Sequence, residues 1–533
     1  MSSIRKRFLF SAGANAARAA ISLSVGLIVA RGLGPADYGN LAYLLGSFWA
    51  IRALLDLGTS SAFYTFIAQR GRGYHYYVVY FAWLAFQFLF SVALVVLLLP
   101  AAIVAQFWLG LDRELILLAL LATFLQNQVW LTVVQMHESV RQTVRIQLAG
   151  VLIILAHLVL VAAMLFGDWL SLHAVLWAIV GEYFVAAIWL SATLRKSYVA
   201  HAPSSAADVP SADSLRMVLM AYARYCRPMA VIAVFSFAYE IVDRWLLQRY
   251  GGASQQGFYQ VAAQLSTVSL LATTSILNIF WKEIAEANEL GAHERVARLY
   301  RKTTQSLVFL AAFVSCFLAP WSEILVDVLL GRAYQAAWPV FMLMLFYPIH
   351  QAVGQINGTL FMATGRNSLY MKITVTGLLV SIPVAYVLIA TGVGFGEIGL
   401  GLGAMGLALK IVGLNFLFQN FQSWMISRHY GIAFQWLEQM GAILVLLLIS
   451  SVCKYMVIQL QTFALPSFNV SQTLSMAMGM AVAGLLYFAA AMGLVMRLPQ
   501  LAGMTQDELL SYWARGSDML RLCREFFLRF TRT

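Results

Sequence analysis

Long apolar segments separated by short polar turns dominate this sequence. About 14 segments reach the roughly 20 residues that a helix needs to cross the hydrocarbon core of a membrane. They are 8–30, 40–66, 78–105, 114–136, 146–166, 171–194, 219–247, 257–281, 304–330, 336–363, 369–391, 397–425, 434–459 and 471–496. Because backbone groups in lipid must be paired within the chain, spans of this length predict an all-α polytopic membrane protein.

The charge content supports this fold class. Only 11% of the 533 residues are charged and 61% are hydrophobic, whereas about 25% of the residues in a soluble domain are charged. The net charge of +12 does not indicate a nucleic-acid-binding protein, because the basic residues are spread over many loops. The four cysteines show no paired spacing, so we expect no disulfide, no metal site and no cofactor.

Lysine and arginine set the predicted orientation. If the N-terminus lies in the cytoplasm, most of the 35 lysines and arginines face the cytoplasm, and only Arg31, Arg113, Arg249 and Arg332 lie outside. This asymmetry follows the positive-inside rule and predicts cytoplasmic termini with an even number of spans. The first apolar segment is too long for the core of a cleaved signal peptide.

A polar turn that occurs twice indicates an internal repeat. Residues 31–39 read RGLGPADYG and residues 249–257 read RYGGASQQG, so that Gly34 aligns with Gly252 and Gly39 with Gly257. Glycine takes the positive φ that a tight turn between helices needs. Six predicted helices separate the turns, so both face outside and the repeat is parallel. The predicted lobes are residues 1–197 and 217–425, followed by two further transmembrane helices in 426–496.

Two segments are predicted to lie outside the spans. Residues 198–216 are rich in proline and serine and indicate a flexible cytoplasmic linker. Residues 497–533 alternate arginines with leucines and phenylalanines after a capping-box spacing at Thr505 and Glu508. Such a basic amphipathic helix lies on an anionic membrane surface or docks on the protein's own cytoplasmic face.

Short motifs in these segments resemble the polysaccharide and oligosaccharide flippases of the multidrug/oligosaccharidyl-lipid/polysaccharide (MOP) exporter superfamily. The motifs are VARGLGPADYG at 29–39, LLDLG at 54–58, VDR at 242–244 and the second turn. The resemblance implies two six-helix bundles in a V shape around a central cavity. It also implies export of an undecaprenyl-linked glycan intermediate across a bacterial inner membrane, with polysaccharide polymerase or export machinery as possible partners.

Three functions are compatible with the sequence. The first is a flippase that translocates a lipid-linked oligosaccharide or polysaccharide intermediate by alternating access, for cell-surface polysaccharide synthesis. The second is a cation-coupled multidrug antiporter of the same superfamily, and the third is a non-transporting subunit of a polysaccharide synthase complex. An enzyme is disfavoured because the outer loops hold only a handful of polar residues and the chain has no phosphate-binding P-loop motif.

Ionisable groups within the spans are the candidate substrate-binding residues, because each costs roughly 2.5–3.5 kcal/mol at the membrane centre. Asn15 and Arg18 lie midway along the first segment, and Arg52 and Asp56 share one face of the second. We expect the two arginines to bind a lipid pyrophosphate, with Asp56 tuning Arg52. The alternative for Arg52 and Asp56 is a structural ion pair that joins two helices.

Carboxylates in other spans are the candidates for ion coupling. Glu240 lies within the seventh segment and Glu182 within the sixth, where each binds a proton or Na⁺ or makes a hydrogen bond between helices. Asp243 and Arg244 lie nearer the outer end of the seventh segment and have the further alternative of reaching the membrane surface.

Polar side chains of the fourth and tenth segments complete the candidate cavity. Asn127, Gln355 and Asn357 suit a glycan, or form hydrogen bonds between helices. Lys410 is assigned to the cavity, with the membrane surface as its alternative, and the same two alternatives hold for Lys454. His157, alone on an apolar helix, is expected to be packed rather than functional.

Overall fold

Helices account for almost all of the structure, which is a computed structural model. It describes residues 2–69, 73–200, 214–270, 273–392, 399–434, 436–464, 472–504, 506 and 508. Most of the predicted linker and most of the predicted C-terminal tail lie outside these residues.

Nineteen α-helices follow one another in the described residues. They are α1 (Ser2–Asp56), α2 (Thr59–Gln69), α3 (Tyr74–Ala93), α4 (Ala101–Phe107), α5 (Arg113–Phe124), α6 (Trp130–Ser139), α7 (Thr143–Phe166), α8 (Leu172–Ala200), α9 (Leu215–Leu246), α10 (Ala253–Ser266), α11 (Thr273–Glu289), α12 (His293–Leu318), α13 (Ser322–Leu330), α14 (Trp338–Met344), α15 (Tyr347–Ala363), α16 (Asn367–Ile389), α17 (Gly403–Tyr430), α18 (Trp436–Ala464) and α19 (Gln472–Arg497).

The prediction of an all-α polytopic membrane protein is confirmed. Within the described residues, 11 helical stretches are long and apolar enough to cross a membrane. One of them, Gly13–Asp56, includes most of the first two predicted spans and is interrupted at Gly34. The total of about 14 spans and their arrangement as a parallel repeat stay predictions.

Both glycine turns contain the backbone conformation that the sequence predicts. Gly34 has a φ of 76° and interrupts α1, whereas Gly252 has a φ of 83° and separates a π-helical turn from α10. A residue with a β-carbon is strained at such angles. The glycines therefore allow each chain segment to change direction where the apolar run is broken.

The helical segments that follow these turns cross at two further glycines. A β-carbon added to Gly39 would overlap the carbonyl oxygen of Ala253, and one added to Gly257 would overlap the carbonyl oxygen of Pro35. The contact is reciprocal: each glycine lies against the first residue of the other segment. Glycine at both positions permits a backbone approach that any larger residue prevents.

The described chain divides into two compact units. Unit 1 comprises residues 1–261, 329–337 and 375–410, and unit 2 comprises residues 262–328, 338–374 and 411–533. In unit 1, α1 packs against α5, α7 and α9. The glycine crossing and α9 thus belong to the same unit as the N-terminal helices, while the predicted lobes 1–197 and 217–425 stay a prediction.

Unit 2 is built around α12, which packs against α11, α15 and α18. Its apolar core includes Leu446 and Ala483 from the last two helices, which pack around the buried Cys316. Tyr487 stacks on Phe313 with ring centroids 4.9 Å apart and donates a hydrogen bond of 2.9 Å to the Phe313 carbonyl. The last two helices are therefore part of the core of this unit.

We expect Gly39→Ala and Gly257→Ala each to destabilise the protein by about 1–3 kcal/mol, because the new methyl group overpacks a backbone contact. The measurement is thermal unfolding of the purified protein in detergent. Gly181→Ala in α8 is the matched control, since nothing lies within 4 Å of its added β-carbon. That control should be neutral or stabilising, as alanine favours helix more than glycine does. Equal melting temperatures for all three variants would contradict the crossing.

Candidate functional site

A cleft in unit 1 contains the first two candidate substrate-binding residues. Asn15 and Arg18 lie one turn apart on α1, and Arg18 donates a hydrogen bond to Asn15 Oδ1. Together with Trp130 and Tyr183 they line a cavity of about 300 Å³. This volume is at the lower end of the range for ligand pockets, roughly 300–1,000 Å³. The cleft therefore combines a cation, an amide and two aromatic rings.

Gly150 of α7 makes room for the arginine. A β-carbon at this position would lie 3.0 Å from Arg18 Nη1. The guanidinium thus lies directly against the α7 backbone and is only half-buried. No described carboxylate lies within salt-bridge distance of Arg18. Its charge is therefore available to an anion that enters the cleft.

The ion-coupling candidate Glu182 lies beside this cleft and has a partner that the sequence did not reveal. Its carboxylate is 2.8 Å from His157 Nδ1 on α7. The neighbouring Tyr183 is hydrogen-bonded to Gln126 and interacts electrostatically with Glu182 and with Arg18. His157, which the sequence places alone on an apolar helix, therefore lies against a carboxylate of α8.

Arg52 is partly buried in unit 1 and contacts polar, aromatic and charged groups. Its Nη1 donates a hydrogen bond of 3.2 Å to the Asn127 carbonyl, and its guanidinium carbon lies 4.8 Å from the Trp49 ring centroid. It also interacts electrostatically with Asp56 and Glu240. Its Nε is buried without a hydrogen-bond partner among the described residues. One donor of the guanidinium is thus unused.

The main-chain oxygen that accepts a hydrogen bond from Arg52 lies on a π-helical turn. Residues Leu125–Val129 form this turn, and the three polar residues Gln126, Asn127 and Gln128 stand on it. A π-turn widens the helix and changes its hydrogen-bond pattern, and such turns occur frequently at functional sites. Asn127 meets Arg52 through its backbone.

Asp56 caps α2. Its Oδ1 accepts hydrogen bonds from the Ser60 backbone at 3.1 Å, from the Ser60 hydroxyl at 2.6 Å and from the Thr59 hydroxyl at 3.0 Å. Gln128 adds a fourth bond of 3.2 Å. A carboxylate at a helix N-terminus pairs free N–H groups and interacts favourably with the helix dipole. The structure shows no salt bridge between Asp56 and Arg52.

The cap belongs to a larger buried polar network that the sequence did not reveal. Gln128 Nε2 lies 3.3 Å from Gln87 Oε1, and the Tyr80 hydroxyl lies 2.9 Å from the Thr132 hydroxyl and 3.3 Å from the Ser60 hydroxyl. These side chains come from α2, α3, the π-helical turn and α6. Buried polar groups paired in this way hold the helices in one arrangement.

Asp243 and Lys410 form a buried ion pair between α9 and α17. Lys410 is 2% exposed and Asp243 is 7% exposed, and the lysine donates a hydrogen bond to Asp243 Oδ2. The ammonium also lies 4.2 Å from the Tyr239 ring centroid. Lys410 was expected in the substrate cavity and Asp243 among the coupling groups. The structure instead has each residue neutralise the other, so neither charge is free.

Glu240 and Arg244 extend this series of charges towards α1. Arg244 Nη1 lies 3.5 Å from the Ala42 carbonyl, and Gly46 leaves the space that its guanidinium occupies. Glu240 interacts electrostatically with Arg244 and with Arg52. Its Oε2 is buried without a hydrogen-bond partner in the part of the chain that the structure describes. Of the three coupling candidates, Glu240 alone is not matched by a single ion-pair partner there.

The candidates of the tenth span lie in unit 2. Asn357 is fully buried; its Oδ1 accepts a 2.8 Å hydrogen bond from Tyr300, and its Nδ2 donates to the Ser423 hydroxyl and the Gln419 carbonyl. These contacts match the alternative of hydrogen bonds between helices. Gln355 is half-buried on the same helix.

Lys454 also has a polar contact in unit 2. Its ammonium donates a hydrogen bond of 2.7 Å to the Pro320 carbonyl and lies 5.6 Å from the Trp321 ring centroid. A backbone carbonyl and an aromatic face together solvate the cation. The structure therefore gives Lys454 a role in packing.

The predicted spans do not reveal the pairing of Asp243 with Lys410. A buried charge needs a partner at its own depth, but Asp243 lies about one turn from the predicted outer end of its span and Lys410 lies more than three turns from that of its own span. Only the contact between α9 and α17 in the structure shows that the side chains meet.

We expect Lys410→Met to lower the free energy of unfolding by about 3–5 kcal/mol, because it leaves the Asp243 carboxylate buried and unpaired. The double variant Asp243→Asn/Lys410→Met removes both charges and should recover a large part of this loss. Thermal unfolding in detergent at constant pH measures both. A double variant less stable than Lys410→Met would contradict the pairing.

Comparison with solved structures identifies the fold. The chain is similar to the lipid II flippase MurJ in an inward closed conformation, with a TM-score of 0.64 and 13% identity over 92% of this chain and 99% of that protein. It is also similar to an inward-facing multidrug resistance transporter of the MATE family, with a TM-score of 0.55 and 15% identity over 77% of this chain and 95% of that protein. At these identities the similarity establishes the fold.

Comparison of sequences identifies the family. No curated protein matches the chain at a significant level. The family model described as polysaccharide biosynthesis protein matches residues 4–280, which is more than half of the chain. The resemblance inferred from the motifs is thereby confirmed: this multi-pass membrane protein belongs to the polysaccharide biosynthesis protein family and has the fold of the MOP superfamily transporters.

Proposed function

We propose that the protein is a flippase that translocates a lipid-linked oligosaccharide or polysaccharide intermediate across the bacterial inner membrane. The carrier is an undecaprenyl-type lipid, both termini are cytoplasmic, and the predicted lobes alternate in opening to the two sides. The family supports a role in polysaccharide synthesis, and MurJ, a flippase for lipid II, has the same fold.

The observation that carries the proposal is the cleft around Arg18. Arginine donates two hydrogen bonds in one plane, which suits a phosphate oxygen pair. Asn15 offers an amide to sugar hydroxyls, and the aromatic side chains of Trp130 and Tyr183, which also line the cleft, suit the apolar surface of a sugar. A cation beside an amide and aromatic rings matches a sugar phosphate better than it matches an organic cation.

The state of the carboxylates supports an anionic substrate over the multidrug antiporter. An antiporter for cations needs acidic groups that are free to bind them. Asp243 is paired with Lys410, Glu182 is paired with His157, and Asp56 caps α2. Of the candidate carboxylates, Glu240 alone has no single ionic partner among the described residues, whereas the cation Arg18 lines a cleft and has no salt bridge there.

We expect Arg18→Ala to reduce export of the lipid-linked glycan at least about tenfold, because the phosphate loses its charge-assisted hydrogen bonds. Arg18→Lys should retain part of the activity, since it keeps the charge but not the planar fork. The assay is complementation of a deletion strain, with the glycan quantified at the outer face and the protein quantified by immunoblot.

The matched control is Arg145→Ala, which removes an exposed arginine from α7 outside the cleft. It should export glycan at the wild-type level. If Arg18→Ala also exports glycan at the wild-type level, at equal protein abundance, the cleft does not bind the substrate. Drug hypersensitivity of the deletion strain with normal outer-face glycan would favour the antiporter.

We further propose that Glu240 is the ion-coupling carboxylate. In proteoliposomes, wild-type flipping should respond to an imposed proton or Na⁺ gradient, whereas Glu240→Gln should flip slowly without responding to either. The exposed Glu323→Gln is the matched control and should respond as the wild type does. An unchanged gradient response in Glu240→Gln would show that coupling lies elsewhere.

A further inference from the structure

Unit 2 contains a second cavity, which is lined by none of the residues discussed so far. It lies between the turn that joins α15 to α16 and the C-terminal end of α17, and its volume is about 270 Å³. Its apolar wall includes Leu360, Phe361 and Ile426, all three of which belong to the core of the unit. Met425 adds a half-buried thioether. Much of the lining is therefore rigid and apolar.

The remaining wall is basic. Arg366 comes from the turn, and Arg428 and His429 come from the last two turns of α17. Arg366 Nη2 lies 2.5 Å from His429 Nε2, and the Arg428 guanidinium carbon lies 5.2 Å from the Trp424 ring centroid. Two guanidinium groups and an imidazole thus line the same opening.

This cluster has no acidic partner in the described part of the chain. The salt bridges there involve His157, Arg295, Lys302 and Lys410, and none involves Arg366, Arg428 or His429. Arg366 Nη2 instead contacts His429 Nε2. Two like charges beside one cavity without a counter-ion repel each other, and an anion between them removes that cost.

The chemistry of the two walls identifies the class of anion. Guanidinium groups favour phosphate because they present planar pairs of donors. A soluble phosphate leaves the apolar wall of Leu360, Phe361 and Ile426 in contact with water, whereas an amphiphile covers it. Positive-inside asymmetry places Arg366 and Arg428 at the cytoplasmic ends of their helices, where anionic headgroups lie.

We propose that this cavity binds an anionic membrane phospholipid. The phosphate lies between Arg366 and Arg428, His429 contributes a further hydrogen bond, and the glycerol and first acyl carbons cover the apolar wall. The bound lipid joins the α15–α16 turn to the end of α17. This role is separate from substrate translocation, because the Arg18 cleft belongs to the other unit.

Thermal unfolding of the full-length protein in a neutral detergent tests the proposal. Phosphatidylglycerol should raise the melting temperature in a saturable way. Phosphatidylcholine, whose headgroup has no net charge, and glycerol 3-phosphate, which has no acyl chain, should have little effect. In Arg366→Gln/Arg428→Gln, the apparent affinity for phosphatidylglycerol should fall about tenfold or more, because charge-assisted hydrogen bonds are lost.

The matched control is Lys372→Gln, which removes an exposed positive charge from α16 outside the cavity. It should bind phosphatidylglycerol as the wild type does. The melting temperature of each variant with lipid is compared with that of the same variant without lipid, so a change in basal stability does not affect the result. Native mass spectrometry counts the lipid molecules that each variant retains. Arg366→Lys should keep part of the affinity.

Four results would overturn the proposal. Equal stabilisation by glycerol 3-phosphate would identify a site for soluble phosphate. Equal stabilisation by phosphatidylcholine would indicate an apolar surface without headgroup recognition. An unchanged affinity in the double arginine variant, or an equal loss in Lys372→Gln, would place the lipid elsewhere on the protein. None of these outcomes depends on glycan export, which is tested separately at Arg18.

Discussion

The cost of placing a charge in hydrocarbon without a partner governs this structure. A membrane interior does not solvate an ammonium or a carboxylate, so each such group has to find its solvation within the protein. Lys410 finds it in Asp243 and Tyr239, and Lys454 finds it in a carbonyl and an indole ring. Charged side chains that have such partners hold helices together. A charged side chain without an ionic partner among the described residues, such as Arg18, identifies the candidate site.

Glycines make these contacts geometrically possible. Gly46 leaves room for the Arg244 guanidinium, and Gly150 allows Arg18 to lie against α7. Gly39 and Gly257 let two backbone segments cross so closely that each glycine lies against a carbonyl oxygen of the other segment. In each case the absence of a side chain on glycine lets a guanidinium group or a backbone carbonyl lie close to a neighbouring helix. The same residue type thus serves turns, crossings and charge burial in one fold.

The balance of charge separates the proposed roles of the two units. In unit 1 the carboxylates are largely occupied, and Arg18 faces a cleft with aromatic walls. In unit 2 the arginines at the end of α17 and at the α15–α16 turn face an apolar cavity without a carboxylate among the described residues. The first arrangement suits a sugar phosphate that enters and leaves. The second suits a lipid that stays.

Hydropathy, glycine spacing and the asymmetry of basic residues can each be read from short stretches of the sequence. They were enough to predict an all-α membrane protein, the turns at Gly34 and Gly252, and the family. The partners of single side chains were not predictable. Asp243 with Lys410, His157 with Glu182, and Arg52 with the Asn127 carbonyl join residues distant in the chain, and each pair forms only because two helices have a particular rotation and depth. Asp56 shows the difference: its spacing from Arg52 allowed an ion pair, but the start of α2 offers its carboxylate three donors, which decides its role.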